Sequence, residues 1–201
     1  MFKKILVGAC SALLAFSSGC FAGDNPTFQM HGDWASLKTC VPEGCVWRAV
    51  TTGGSESSGV WFFVSYFPNG KSVFTMQMRD VSLENIRTWK NTNIDYMRAK
   101  VRIDNQPYVE TTLERELNRE DRILYFSFSK KQFGDDFLRK LMKGNSLRVR
   151  LYTDDSNITL KFPLNGATAA INRIQGATLR EMDDDGWGDK PSSNNQEIQR
   201  Y

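Results

Sequence analysis

The sequence predicts a mainly β domain of the α+β class: an antiparallel β-sandwich or partly closed barrel with two short helices near the C-terminus. Two aromatic and β-branched runs, 60–66 and 72–78, flank Pro68-Asn69-Gly70, which is a hairpin with its own turn chemistry. Segments 97–103 and 147–151 alternate apolar with basic residues, the period of two of a half-buried strand. Helical spacing appears only after residue 129, and a run of seven or eight strands followed by helices favours an antiparallel sheet.

The N-terminus reads as an export signal. Lys3 and Lys4 precede an uncharged apolar run over 5–16, residues 17–22 are small or turn-prone, and Gly23-Asp24-Asn25-Pro26 breaks any continuing helix. About twelve apolar residues are too few to span a hydrocarbon core, which needs roughly 20. Two processing routes are open. Cys20-Phe21-Ala22 before Gly23 fits a signal-peptidase site and leaves a soluble periplasmic or secreted chain. Ser17-Ser18-Gly19-Cys20 resembles a lipobox, in which acylated Cys20 would tether the protein to the outer membrane. The expected organisation is a signal over 1–22, one β-rich domain over 23–176 and a disordered acidic, polar tail over 177–201.

Of the four cysteines, Cys10 lies in the signal and cleavage after Ala22 removes Cys20. Cys40 and Cys45 remain, separated by the turn formers Val41-Pro42-Glu43-Gly44. In an oxidising compartment they are expected to form a disulfide, a local clip contributing about 2–3 kcal/mol. Two cysteines and one distant histidine do not complete a zinc site, so neither metal nor other cofactor is expected.

In chain order, residues 23–32 read as a linker containing His31 and leading to Trp34. Ala35 to Val50 carries the cysteine loop between two short strands, and Thr51 to Gly59 is a Gly/Ser-rich loop. The hairpin follows. In the next strand Met97, Ala99, Val101 and Ile103 face the core, while Arg98, Lys100 and Arg102 face out. Asp104 to Pro107 turns the chain, Tyr108 to Leu113 returns, and Arg122 to Phe128 is a further strand. Ser129 and Gln132 are spaced as a helix capping box, Phe133, Phe137, Leu138, Leu141 and Met142 form an apolar stripe, and Gly144 stands at the C-cap. Arg148 and Arg150 then alternate with Leu147, Val149 and Leu151. Ile158 to Phe162 is the last strand, and Gly166 to Ile174 a short Ala-rich helix. Beyond it apolar residues are sparse.

The formal charge is +3, of which the two signal lysines supply +2. A mature chain near +1 lacks the basic footprint of a nucleic-acid binder. No catalytic site is expected: there is one histidine, no phosphate-cradling loop, and no nucleophile–base pattern. Glu110, Glu114, Glu116, Glu120 and Asp121 supply the carboxylates an exported glycan hydrolase needs, but they interleave with Arg115, Arg119 and Arg122 as a solvated, charge-paired edge. Asp183 to Asp189 lacks the alternate ligands of a calcium loop, and Trp187 within it is a candidate docking residue. The best binding candidates are the two basic rows, Arg98, Lys100 and Arg102 with Arg148 and Arg150. On neighbouring strands they would turn five cations toward an anionic polymer or lipid headgroup, and the expected partner is a protein or an anionic envelope component. The competing reading is a solvated face paired with the nearby glutamates. Contact with a membrane follows only if Cys20 is acylated.

Gly32-Asp33-Trp34 before a cysteine pair, Ile103-Asp104, Leu141-Met142-Lys143-Gly144 and Phe162-x-Leu164-x-Gly166-x-x-Ala169-Ala170 occur in that order. Together they are similar to the invasion-associated locus B family of exported bacterial proteins, over about residues 32–174. The resemblance implies a β-rich periplasmic or surface protein, linked to host-cell entry or envelope function, with no catalytic residues. Family members often carry a second cysteine pair near the middle, whereas this chain has no cysteine after Cys45. A related closing segment in accessory proteins of secretion systems keeps open a lipid-anchored component of a secretion or conjugation machine.

Overall fold

Bulky, strand-favouring residues dominate the first half of the domain, and the chain there runs as an antiparallel meander. Its strands are β1 (Phe28–His31), β2 (Trp34–Val41), β3 (Gly44–Gly53), β4 (Val60–Tyr66) and β5 (Ser72–Met78), each paired with the one before. A second meander, β6 (Tyr96–Ile103), β7 (Val109–Asn118) and β8 (Ile123–Ser127), brings β8 beside β5. After helix α1 (Asp135–Lys143), β9 (Ser146–Tyr152) pairs with the free side of β6 and β10 (Asn157–Pro163) with β9; helix α2 (Ala167–Asp184) follows. This computed structural model describes residues 27–41, 44–53, 59–67, 69–79, 96–118, 121–152 and 157–184. Within them the ten strands form one sheet, ordered β1-β2-β3-β4-β5-β8-β7-β6-β9-β10.

The sheet is not closed into a barrel; it folds over so that its two halves face each other as in a sandwich. The crossing of β10 over β3 shows how. A Cβ on Gly53 would lie 2.3 Å from the Phe162 ring and 2.8 Å from the Lys161 carbonyl oxygen, so only glycine admits β10 at this distance. Beside it the Trp34 indole N–H donates to the Pro163 carbonyl at 2.9 Å. Phe62 stands at the centre of the enclosed core, with ring centroids of Phe128, Phe162 and Trp34 at 5.7, 5.6 and 6.3 Å. Truncating so enclosed a ring to alanine costs about 3–5 kcal/mol.

The helices close the core. Phe133, Phe137, Leu138 and Leu141 are buried, and an edge-to-face chain runs from Phe128 through Phe133 and Phe137 to Phe74. Asp135 and Asp136 in the first turn of α1 and Lys140 and Lys143 in its last suit the helix dipole. The capping box expected at Ser129 and Gln132 is not formed. α1 starts later, with Gly134 at its N-cap and no side-chain cap. Ser129 instead accepts from the Gln132 and Phe133 backbone N–H groups in a separate turn, because the Gln132 side chain is bonded to β7. Gly144 does hold the C-cap, with extended backbone.

Two further boundaries differ from expectation. Residues 28–31, expected in a linker, are edge strand β1: Gly32, at φ +61°, turns the chain so that Met30 lies opposite Ala35. The helix expected over 166–174 runs on through Gly176 to Asp184, so residues 177–184, expected in the tail, are helical. Ala170, Ile171, Ile174, Ala177 and Thr178 continue its buried stripe. A mid-helix glycine costs only about 0.5–1 kcal/mol, which this packing offsets. α2 lies on β2 and β3 and is tied there by Lys38–Glu181 at 2.8 Å.

Candidate anion-binding site

Strand alternation sorts the site residues. Met97, Ala99, Val101 and Ile103 of β6, and Leu147, Val149 and Leu151 of β9, are buried, while the basic residues between them lie outside. β6 and β9 are neighbours, and their register sets Lys100 opposite Arg150 and Arg102 opposite Arg148. The five cations singled out from sequence therefore share one outer sheet face. β10 adds a sixth that sequence reading missed: Lys161 stands opposite Arg148, and Thr159 opposite Arg150. Arg102, Arg148 and Lys161 thus form a row across three adjacent strands, about 4.8 Å from one strand to the next.

Aromatic rings and hydroxyls hold these side chains. Arg102 lies over the Tyr108 ring at 4.5 Å, and Arg98 and Lys100 lie 6.0 and 5.9 Å from the Tyr152 centroid. Arg150 Nε donates to Thr159 Oγ1 at 3.2 Å. Arg102 Nε is buried and makes no hydrogen bond.

Among the described residues, the acidic partner of these cations is on the β7 flank. Glu110 of β7 stands opposite Lys100 and meets its ammonium at 2.8 Å. That hydrogen bond and the charge of Glu110 raise the lysine above its ordinary pKa, and Lys100 in turn holds Glu110 below the usual carboxylate range. Among the described residues, Arg98, Arg102, Arg148, Arg150 and Lys161 form no ion pair. Among the described residues the charge-paired reading is seen at Lys100, and the Arg98 charge also acts on Glu110. Glu114 and Glu116 lie further along β7, and Glu120 and Arg119 fall outside the described residues.

Between the outer face of β6–β7 and the turn at 129–132 lies an open depression of about 420 Å³, lined by Arg98, Lys100, Glu110, Thr112, Gln132 and Tyr152 among others. Gln132 is fixed there: its Nε2 donates to the Glu110 carbonyl at 3.0 Å, and its Oε1 accepts from Thr111.

The other expected sites are distributed elsewhere. Cys40 and Cys45 are bonded and are register partners across β2 and β3. His31 is not in a linker. It is half-buried in β1, with Nε2 2.8 Å from Ser36 Oγ, while Arg173 Nη1 donates to the same hydroxyl at 2.9 Å. Burial, then the Arg173 charge, lower the His31 pKa. Ser36 is fully buried, which withholds its hydroxyl from any substrate. Among the described residues no group of three or more His, Cys, Asp or Glu is placed to hold a metal. Cys20, the signal and Trp187 fall outside the described residues.

No protein-family model matches the chain, and no curated protein matches it. Among solved structures it is similar to the crystal structure of invasion associated protein b from Bartonella henselae. The TM-score is 0.53 and the identity 13%, over 75% of this chain and 96% of that one. The likeness is one of fold.

Proposed function

We propose that this chain is an exported, non-enzymatic protein of the bacterial envelope that binds an anionic partner through the outer face of β6, β9 and β10. The observation that carries the reading is the register of β6 on β9, which sets cation opposite cation twice. Like charges directly opposite in a sheet are destabilising, and a face that needed only solubility would be better served by alternating signs. An anionic ligand supplies the missing countercharge, which guanidinium groups take up in charge-assisted hydrogen bonds.

Export is supported by the Lys3–Lys4 and apolar leader and by a disulfide suited to an oxidising compartment. The fold likeness to invasion associated protein b agrees with the family resemblance of the closing segment, which extends the reading to host contact.

The test is titration of the chain lacking its leader with heparin and with inorganic polyphosphate, beside an Arg148→Ser/Arg150→Ser variant. Binding that weakens with salt, and is at least about tenfold weaker in the variant, is expected. Equal affinity in the two proteins, or no binding by either, contradicts the proposal.

A further inference from the structure

The depression beside the basic face carries information about the class of partner. We infer that it is a sugar subsite, and that the anionic partner is a polysaccharide bearing carboxylate or sulfate groups; this rests on the basic face being an anion site.

Shape is the first ground. A concavity of about 420 Å³ lies within the roughly 300–1,000 Å³ of small-ligand sites, and it adjoins the cations instead of lying apart from them.

The lining is the second. Between Arg98 and Lys100 on one side and the turn at 129–132 on the other stand a hydroxyl, an amide, a carboxylate and a phenol ring: Thr112, Gln132, Glu110 and Tyr152. A sugar ring offers hydroxyls that both donate and accept. Glu110 accepts, Thr112 does both, and Gln132, held by Thr111 and the Glu110 carbonyl, keeps one N–H free of those two bonds. Tyr152 adds an aromatic surface. Bare polyphosphate has no hydroxyl to donate to Glu110, whereas a sugar ring does.

Continuity is the third. Lys100 belongs both to the depression and to the cation grid, being opposite Arg150 and two residues from Arg102. A chain seated by one sugar in the depression runs out over cations about 4.8 Å apart between strands and about 6.8 Å apart along them. Each guanidinium can take a carboxylate or sulfate in bidentate fashion. An extended charged polymer fills such a grid; a small anion uses one corner.

The experiment compares heparin, inorganic polyphosphate, uncharged dextran and phosphatidylglycerol vesicles as ligands of the leader-free chain, with Thr112→Val and Tyr152→Ala variants. Heparin is expected to bind at least about tenfold more tightly than polyphosphate of equal charge. Each substitution should weaken heparin about fivefold; Thr112→Val should leave polyphosphate unchanged, whereas Tyr152→Ala, which removes the ring under Arg98 and Lys100, weakens polyphosphate as well. Thr112 is exposed, so its variant keeps the test decisive if Tyr152→Ala disturbs β9. Polyphosphate binding as tightly as heparin, with both variants silent, overturns the sugar subsite and leaves the anion face standing. Dextran binding as well as heparin removes the anionic requirement, and binding to vesicles alone makes the partner a bilayer; either overturns the inference. If no polyanion or vesicle binds, the basic-face reading falls as well.

Discussion

Arg102 on β6 and Arg148 on β9 stand directly opposite each other in the antiparallel register, and Lys100 and Arg150 repeat the arrangement two residues along. Such pairs are unfavourable by a fraction of the 0.2–1 kcal/mol that opposite charges gain in the same position. Arg148→Thr is therefore expected to raise unfolding stability, by up to about 1 kcal/mol at low ionic strength, while it weakens polyanion binding. The gain should shrink in high salt. Urea unfolding at two salt concentrations reads both effects, and a loss of stability in low salt would contradict the repulsion.

The clip between Cys40 and Cys45 closes a short loop, so its entropic contribution is about 2 kcal/mol. Replacing both by serine should lower the unfolding free energy by that amount and leave heparin affinity unchanged, because the bond lies at the opposite end of β3 from Gly53, where β10 crosses. Intact mass of the exported protein should show an oxidised chain starting at Gly23. A diacylglyceryl group on Cys20 would instead make it a tethered protein.

His31 supplies a pH dependence whose sign follows from its setting. Burial and Arg173 lower its pKa in the folded protein, so the unfolded chain binds this proton more tightly. The contribution is therefore fully present above the ordinary histidine value of about 6.5, and is lost as pH falls from there through the lowered value. His31→Gln should flatten stability over that interval. An unchanged slope between pH 7.5 and 5 in the variant would show that other groups carry it.

Glycines 166 and 176 should respond in opposite directions. Gly166 has φ +90°, and a Cβ there would fall 1.6 Å from the His31 carbonyl oxygen. Gly166→Ala is expected to cost about 3 kcal/mol or more. Gly176 lies within α2 with nothing within 4 Å of an added Cβ, so Gly176→Ala should stabilise by about 0.5–1 kcal/mol. Thermal melts of the two variants check both signs.

The contrast between those glycines also marks how far the fold was legible from sequence. The β4–β5 hairpin was readable because strand propensity and turn chemistry coincide at 60–78. β6 and β9 were readable because each alternates arginine or lysine with apolar residues. Adjacency of β6 and β9 was not readable, since pairing between distant strands leaves no local pattern. That is why the basic face remained conditional and Lys161, an isolated lysine between Leu160 and Phe162, was passed over. β1 was missed because a four-residue edge strand with exposed Gln29 and Met30 shows no alternation. Ser129 and Gln132 had the spacing of a capping box, but spacing does not reveal that Gln132 is engaged by Thr111. The second helix was expected to end at Ile174 because apolar residues are sparse beyond it, although the buried positions Ala177 and Thr178 carry it past Gly176.

Whether the β6–β9–β10 face receives an anionic partner is decided by covalent footprinting: arginines and lysines are modified with and without bound heparin, and each site is quantified by mass spectrometry. Protection concentrated at Arg102, Arg148, Arg150 and Lys161, with Arg122, Arg139 and Arg180 labelled equally in both samples, is the predicted result. Protection spread evenly over all seven, or centred on the last three, would contradict it.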